Sequence, residues 1–347
     1  MIKEGLTFDD VLLVPQYSDI ESRSQVKLTV EIEKLRLKFE HPIIPANMKT
    51  IVSPALIEEN YHRIGFSLLH RYDNDPYASQ MSLLKGLRGV MHKSGFVPPG
   101  IGVSIGVKHE DYKLAEKYIS EGVHLINVDV AHGDSKLCVD MCEWLNEHYP
   151  KVFVIAGNVA TASGARRLWE AGADMLRVGV GNGSICTTRI ETGNGVPQLT
   201  ALMDVHSVKE EMENVMDKQL LILNDGGVSK VGDIVKALCF ADFVMTGNMF
   251  AGCEEAPGSV ISIDGKMYKS YVGSSTHKTT RIEGVEAMVP LKKSFKSILT
   301  KMIEGIQSGC SYQGVSNITD LKKEPIFMKI SNAGLKESHA HDVQVIR

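Results

Sequence analysis

The chain has 347 residues, and its 38 Lys and Arg against 42 Asp and Glu give a formal net charge of −4. This near-neutral balance removes the main argument for a general nucleic-acid binder, which would carry a large basic excess. It is compatible with a phosphorylated small-molecule ligand, because backbone amides bind such a ligand without any net charge. The sequence contains no run of eighteen apolar residues, so no segment is expected to cross a membrane.

The first twenty residues, MIKEGLTFDDVLLVPQYSDI, carry acidic side chains where a signal peptide needs an apolar core. The six cysteines, at positions 138, 142, 186, 239, 253 and 310, show no Cys-x-x-Cys pair and no disulfide-framework spacing. Both observations favour reduced thiols in a cytoplasmic protein.

Eight short apolar runs recur along the chain, and each ends in small or polar residues and precedes a helical stretch. They lie at residues 42–47, 64–71, 100–107, 124–131, 152–159, 175–181, 220–227 and 243–250. Continuous Val, Ile and Leu runs are typical of strands buried on both faces, as in a parallel sheet. Eight strand–helix units in about 210 residues predict an α/β fold, a (β/α)8 barrel. The alternative is an open doubly wound sheet, but no Gly-x-Gly-x-x-Gly turn follows the first run.

Segments outside these units complete the predicted domain. Residues 251–315 follow the eighth run as a long stretch that we expect to act as a mobile flap or binding loop. Residues 1–330 are therefore predicted to form a single domain, and residues 331–347 a flexible tail. The tail contains His339, His341 and Asp342, which we interpret as solvated side chains rather than as a metal site.

The loop after the sixth run, GVGNGSICTTRIETGNGVPQ at residues 179–198, concentrates small and reactive residues. Its glycines, Gly179, Gly181 and Gly183, allow close backbone approach to a ligand, and Ser184 adds a hydroxyl. Such a turn binds a phosphate through its amides or a monovalent cation through its carbonyls. The residues alone leave both alternatives open.

Cys186 lies in this polar, glycine-flanked loop, so the ordinary interpretation of a free cysteine as a small core residue fits it poorly. A thiol with an unperturbed pKa of ~8.5 needs local stabilisation of its thiolate to act as a nucleophile. Helix-start amides or the nearby Arg189 would supply that stabilisation. We therefore predict Cys186 to be a nucleophile and the other five cysteines to be structural.

The ends of the last strands carry further candidate binding residues. Asp225-Gly226-Gly227 and Thr246-Gly247-Asn248 resemble the two turns that form a phosphate site in many barrels, with Asp225 placed to accept bonds from ribose hydroxyls. Ordinary strand-ending turns are the alternative. Asp129 and Asn158 end strands four and five, where they would orient a reacting ring or a cofactor amide, or else cap the following helices.

The segment GNGSICTTRIETGNGVPQ resembles the active-site loop of the IMP dehydrogenase and GMP reductase family. Supporting segments are LTFDDVLLVPQYS, PANM, AGNVAT, NDGGVSKVGDIVKAL and EGVEAMVP, so the resemblance covers about residues 5–315. It implies a (β/α)8 barrel, which the strand count predicts independently.

The resemblance also bears on which branch of the family is the nearer. IMP dehydrogenases usually carry a paired regulatory domain after strand two, but here only residues 72–99 join strands two and three. The flap from Gly273 to Glu283 spans ten positions and lacks the Arg-Tyr pair that activates water in the dehydrogenases, although Arg281 is present. A short flap resembles GMP reductase. The alternatives are a dehydrogenase without the regulatory domain, oxidising IMP to XMP with NAD, or a reductase of a deoxy or modified purine nucleotide. A barrel that only binds a purine nucleotide would not need Cys186.

The resemblance implies that Cys186 attacks carbon-2 of GMP, ammonia leaves, and NADPH, or alternatively NADH, delivers hydride to give IMP. Thr188 and Glu283 would protonate the leaving amine. The phosphate would be bound by Ser184, Gly227, Gly247, Asn248 and Tyr271, and the ribose by Asp225. Met48, Gly273 and Ser275 would contact the purine, and Arg189 would lie in the substrate site. Asp129 and Asn158 would lie beside the cofactor, and the carbonyls of Gly181 and Gly183 would bind a potassium ion. A homotetramer is also implied.

Four sites, with five residues in total, depart from the family pattern. Lys49 stands where the reductases have Asp, Asn182 where Pro is usual, and Asn248 where Gly or Ser is usual, and Lys292-Lys293 replaces a Lys-Gly-like turn. Lys49 is either a surface exchange or the partner of an acidic residue near the site.

Overall fold

The structure, a computed structural model, describes residues 2–91, 98–273 and 286–340. Its strands are β1 Val11–Leu13, β2 Val30–Ile32, β3 Leu37–Phe39, β4 Ile43–Pro45, β5 Ser67–Leu68, β6 Ile101–Ile105, β7 Leu125–Asp129, β8 Phe153–Val159, β9 Met175–Val178, β10 Leu221–Asp225, β11 Phe243–Thr246, β12 Ile261–Ile263, β13 Lys266–Val272, β14 Glu286–Pro290 and β15 Phe327–Lys329. Its α-helices are α1 Pro54–His62, α2 Pro76–Met91, α3 His109–Ser120, α4 Lys136–His148, α5 Ala162–Glu170, α6 Thr188–Thr192, α7 Gln198–His206, α8 Lys209–Met216, α9 Val231–Leu238, α10 Phe295–Tyr312 and α11 Asn332–Glu337.

The eight predicted apolar runs form one parallel sheet, in the order β4-β11-β10-β9-β8-β7-β6-β5. Consecutive strands pair in parallel, and β4 and β5 meet at the remaining seam, so the sheet is nearly closed into a barrel. Every residue of β6 and β7 is buried, as the continuous apolar runs predict for strands covered on both faces. The predicted (β/α)8 architecture is therefore confirmed, and the open-sheet alternative is wrong.

Helices cover the outside of the sheet because each strand-to-strand crossover carries an amphipathic segment. Local sequence sets their starts: Pro54 occupies the first turn of α1, and the hydroxyls of Ser53 and Thr161 accept N–H bonds at the starts of α1 and α5. Gly305 and Gly309 let α10 pack closely against α9. A Cβ at either position would fall 2.5–2.6 Å from a valine of α9.

The stretch after β11 is only partly the expected insertion. Residues 295–312 form α10, which packs against α9 and α1 as the last helix of the outer ring. Between β11 and α10, strands β12, β13 and β14 form an antiparallel sheet, and Tyr271 of β13 contributes to the barrel mouth. The expected flap residues 274–285 lie outside the described ranges.

The chain ends are joined beside the barrel. β1 pairs antiparallel with β15, with Leu12 opposite Met328, and the segment after β15 forms the short helix α11. The first part of the predicted tail is thus helical between Asn332 and Glu337, because the hydroxyl of Ser331 caps it by accepting from the Gly334 N–H.

Two buried aspartates brace the end of the barrel opposite the carboxyl ends of the strands. Asp174 precedes β9 and pairs with Lys34 and Lys218, and Asp242 precedes β11 and pairs with Lys209 and Lys322. Each carboxylate also accepts the backbone N–H that starts the neighbouring strand region, at Val154 and Ile222. The buried charges at this end of the barrel are therefore paired and hydrogen-bonded.

Candidate active site

A cavity of about 440 Å³ opens at the carboxyl ends of the barrel strands, a size typical of small-molecule sites. Fourteen of the predicted site residues line it: Met48, Asp129, Asn158, Gly181, Gly183, Ser184, Cys186, Thr188, Asp225, Gly227, Gly247, Asn248, Tyr271 and Gly273. They come from six different strand ends and from the sheet beside the barrel. The fold therefore brings together residues separated by more than two hundred positions in the chain.

Cys186 is the free cysteine exposed to solvent among the six, and the other five are buried. Its backbone N–H donates to Gly183 O at 3.0 Å, which closes a tight turn, and helix α6 begins two residues later at Thr188. The Cys186 thiol donates to Thr188 Oγ1 at 3.2 Å. A nucleophile candidate and a hydroxyl able to pass on its proton thus face the cavity side by side.

Arg189 belongs to the same loop, and it is not among the described residues that line the cavity. Its Nη2 donates to Val196 O at 2.6 Å. Its side chain runs between Gly181 and Gly195, where an added Cβ would approach it to 2.6 Å, and both glycines have a positive φ. In this structure Arg189 braces the loop, and its predicted role in the substrate site stays a prediction.

Arg177, which the sequence analysis did not select, is the centre of the buried polar network. Its Nη1 donates to Asp129 Oδ1 at 2.6 Å and its Nη2 to Asp225 Oδ2 at 2.7 Å. Burial alone would lower the pKa of Arg177, but the carboxylates of Asp225 and Asp129 outweigh it and raise the pKa. The guanidinium is therefore a permanent charge that holds both carboxylates in place.

Asp129 and Asn158 belong to the same network. Asn158 donates to Asp225 Oδ2 at 2.7 Å and to Gly179 O at 2.9 Å. Their alternative role as helix caps is wrong, because Ser135 and Thr161 hold the N-cap positions of α4 and α5. Both residues face the cavity.

Three further side chains that the sequence analysis missed surround Asp129. Asn47 and Tyr72 each donate to Asp129 Oδ2 at 3.3 Å, and Arg71 donates to Asp129 O at 3.0 Å. Asn47 stands in the quoted segment PANM, but nothing in the sequence pairs it with a residue eighty-two positions away. Arg177 did leave a signal, since a charged residue inside the apolar run MLRVGVG is unusual unless it is paired.

The opposite wall of the cavity is built from small residues and one tyrosine. Gly226 and Gly227 both have a positive φ, 80° and 75°, at the turn after β10. The Gly226 N–H donates to Met245 O at 3.3 Å, and Gly227 is exposed. A Cβ on Gly247 would fall 2.7 Å from the Tyr271 hydroxyl, so a larger residue there would displace that side chain. Burial raises the pKa of Tyr271, so its hydroxyl stays protonated and can donate.

The departures from the family pattern have visible partners here. Lys49 Nζ pairs with Asp73 at 3.0 Å, so of the two interpretations of Lys49 the structure supports an acidic partner. Lys292 Nζ donates to the carbonyl of Asn248 at 2.6 Å, so it fastens the turn after β11. Asn182 bonds to Gln198 and to the Asp225 carbonyl.

Two predicted site residues, Ser275 and Glu283, lie outside the described residues, as do His341 and Asp342 of the tail. Within the described ranges, no group of three or more His, Cys, Asp or Glu side chains is arranged to hold a metal ion. No helix in that part of the chain is long and apolar enough to cross a membrane.

An eight-stranded barrel with an exposed thiol, a neighbouring hydroxyl and a buried acid–arginine network at its carboxyl end belongs to the class of barrel enzymes. The model of the IMP dehydrogenase / GMP reductase domain matches residues 5–341. The chain therefore belongs to the IMP dehydrogenase / GMP reductase family.

Relatives carry both names. The chain is 42% identical over 265 residues to an inosine-5'-monophosphate dehydrogenase of Aquifex aeolicus and 43% identical over 264 residues to a GMP reductase of Leishmania donovani. These alignments cover 71% and 70% of this chain but 53% and 52% of the relatives, so the chain spans about half their length. A GMP reductase of Staphylococcus saprophyticus is 36% identical over 330 residues, covering 91% of this chain and 93% of its own.

Proposed function

We propose that this chain reduces GMP to IMP with NADPH, releasing ammonia, through a covalent intermediate on Cys186. The observation that carries the proposal is the exposed Cys186 thiol, 3.2 Å from the Thr188 hydroxyl, at the edge of the cavity. A protein that only binds a nucleotide has no use for a solvent-exposed thiol in that position.

The cavity offers complementary groups for the nucleotide. Gly227 and the Gly247-Asn248 turn line the cavity and would offer backbone amides to phosphate oxygens, and the Tyr271 hydroxyl lies close to Gly247. Asp225, fixed by Arg177, would accept bonds from the ribose hydroxyls. Met48 and Gly273 then lie where the purine would pack.

In the first step the Cys186 sulfur bonds to carbon-2 of the purine, and the bond from carbon-2 to its amino group breaks. The thiol proton passes through Thr188 toward the leaving amine, so that ammonia departs and a thioimidate remains on Cys186. Glu283 would assist that proton transfer, as the resemblance implies.

In the second step carbon-2 accepts a hydride, the carbon–sulfur bond breaks and the Cys186 thiolate is restored. A bound reduced nicotinamide supplies that hydride. The residues fit such a group, because the carboxamide of Asn158, the guanidinium of Arg177 and the carboxylate of Asp129 offer donors and acceptors complementary to another carboxamide. The sum is GMP, NADPH and two protons giving IMP, NADP+ and ammonium.

Two observations support the reductase over the dehydrogenase. The segment from Gly273 to Glu283 is short and lacks the Arg-Tyr pair with which the dehydrogenases activate water. The Staphylococcus saprophyticus GMP reductase also aligns over nearly its whole length without requiring an inserted domain. The second candidate is oxidation of IMP to XMP with NAD, which the relatives named as dehydrogenases favour.

Purified protein with GMP and NADPH should lose the absorbance of the reduced nicotinamide and release one ammonia for each NADPH consumed. Formation of XMP from IMP and NAD, with no reaction of GMP, would refute the proposal. The control variant Cys186→Ala should show no turnover while its nucleotide affinity stays within about tenfold, ~1.4 kcal/mol.

The resemblance to the reductase branch supports the finer assignments. We propose NADPH rather than NADH as the reductant, a potassium ion on the Gly181 and Gly183 carbonyls, a homotetramer and a cytoplasmic location. The cofactor choice is tested by comparing kcat/KM for the two reductants, the ion by replacing potassium with sodium, and the assembly by light scattering.

A further inference from the structure

The active-site loop is tied to the ribose turn by one side chain. Asn182 Nδ2 donates to Gln198 Oε1 at 2.5 Å and to the backbone carbonyl of Asp225 at 2.8 Å. Asn182 lies four residues before Cys186, and Asp225 is the residue placed on the ribose. The contact thus joins the two parts of the site that must act on one substrate.

The acceptors of Asn182 are themselves fixed. Gln198 is buried, and its Nε2 donates to Val178 O at 2.7 Å and to Asn224 Oδ1 at 2.8 Å. The Asn224 amide in turn donates to Gly226 O at 3.0 Å. Asn182 is therefore the outer member of a series of three amides that connects the ends of β9 and β10.

The loop and the turn approach each other as closely as glycine allows. A Cβ on Gly179 would fall 2.3 Å from Asp225 O and 2.8 Å from Asn182 Nδ2. The amide of Asn182 also lies 3.3 Å from where a Cβ would stand on Gly226 or Gly227. The loop and the turn are therefore in direct contact, and the Asn182 side chain lies at that contact.

We propose that Asn182 is a positioning residue that fixes the Cys186 loop against the Asp225 turn and so aligns the thiol with carbon-2 of the bound nucleotide. The inference rests on the proposed function for the identity of the substrate. Alignment matters because displacements of about 1 Å at a reacting centre reduce rates by as much as about a hundredfold.

The sharpest test is Asn182→Asp, which keeps the side-chain shape but replaces the donor with a carboxylate facing two acceptors. Gln198 can rotate its amide in response, but the Asp225 carbonyl cannot become a donor. Asn182→Ala removes both hydrogen bonds without adding a charge. It therefore separates the loss of these bonds from the effect of the new carboxylate. The matched control is Asn194→Ala, because Asn194 lies on the same loop and donates only locally, to Thr192 O at 2.9 Å.

We expect kcat with saturating GMP and NADPH to fall about tenfold or more in both Asn182 variants, while the GMP dissociation constant from calorimetry changes less than about threefold. The thermal midpoint should stay close to that of wild type, and Asn194→Ala should keep wild-type kcat. GMP should also protect Cys186 from iodoacetamide less completely in the Asn182 variants at equal saturation. An unchanged kcat, or parallel losses of kcat, affinity and thermal midpoint, would overturn the positioning role.

The wild-type assay separates this inference from the proposed function. If wild type oxidises IMP with NAD and leaves GMP untouched, the proposed function fails, and the variants are compared in that reaction. A tenfold loss of kcat there would still support the role of Asn182, and an unchanged kcat would refute it. If neither reaction occurs, equal protection of Cys186 by GMP in variant and wild type refutes it, and weaker protection supports it.

Discussion

The guanidinium of Arg177 donates to the carboxylate of Asp129 at 2.6 Å within the barrel, and both side chains are less than one-tenth exposed. The same guanidinium reaches Asp225 at 2.7 Å. One buried cation thus holds Asp129 and Asp225 at a fixed separation. These are the two acids that we propose to lie beside the cofactor and the ribose, so the geometry of both proposed subsites would depend on Arg177.

Removing this cation should be costly. Arg177→Met leaves the buried Asp129 and the partly buried Asp225 without this shared counter-charge, so we expect a loss of about 3 kcal/mol in the free energy of unfolding. Arg177→Lys should lose less, because the charge remains while the forked geometry is lost. Urea denaturation measures both.

The control for Arg177 is Arg166→Met, which breaks an ion pair with Glu211 on the surface. Exposed pairs contribute little, so its urea midpoint should match that of wild type. If Arg177→Met were as stable as wild type, the buried network would have no structural role.

The hydroxyl of Thr188 is predicted to transfer the proton of the Cys186 thiol to the leaving amine. Thr188→Val keeps the size and branching of the side chain but removes the group that accepts from the Cys186 thiol, so kcat should fall by about a hundredfold. Thr188→Ser should retain most of the activity, because it keeps the hydroxyl. Steady-state kinetics with GMP and NADPH tests the series, and equal activity of the valine and serine variants would contradict the role.

Stability should fall on mild acidification because of one buried histidine. His41 is 1% exposed, and burial, together with the charge of Arg63, lowers its pKa to about 4. The unfolded chain takes up that proton near pH 6.5, so the folded state is fully favoured above pH 6.5 and loses stability as the pH falls from about 6.5 toward 4. The loss is on the order of 3 kcal/mol.

The variant His41→Phe removes this titration. Its urea midpoint should therefore change less between pH 7 and pH 4.5 than that of wild type, whatever its stability at neutral pH. Parallel pH profiles for the two proteins would show that His41 is not responsible.

The sequence predicts the barrel well because each strand shows itself as one short, continuous apolar segment. The run HLINVDVA, for example, contains β7, every residue of which is buried. It also predicts the Cys186 loop, since glycines, a hydroxyl and a thiol within eight positions indicate a ligand site without any tertiary information. The predicted insertion at residues 251–315 includes residues 295–312, which the structure shows to be helix α10 of the outer ring.

What the sequence could not provide is long-range pairing. The bond between Arg177 and Asp129 joins residues forty-eight positions apart, and Asn182 meets Asp225 across forty-three. The parallel order of strands β7, β8, β9 and β10 in the sheet places those side chains together. The departures at Lys49 and Lys292 likewise became interpretable through partners that composition does not reveal, Asp73 and the carbonyl of Asn248.

The proposed mechanism requires the sulfur of Cys186 to bond to the purine during turnover. Acid quenching of a steady-state mixture with GMP and NADPH, followed by proteolysis and mass spectrometry, detects that bond. We expect a peptide containing Cys186 whose mass is increased by that of GMP less ammonia. Undiminished turnover by Cys186→Ala, with no such adduct in the wild-type digest, would contradict it.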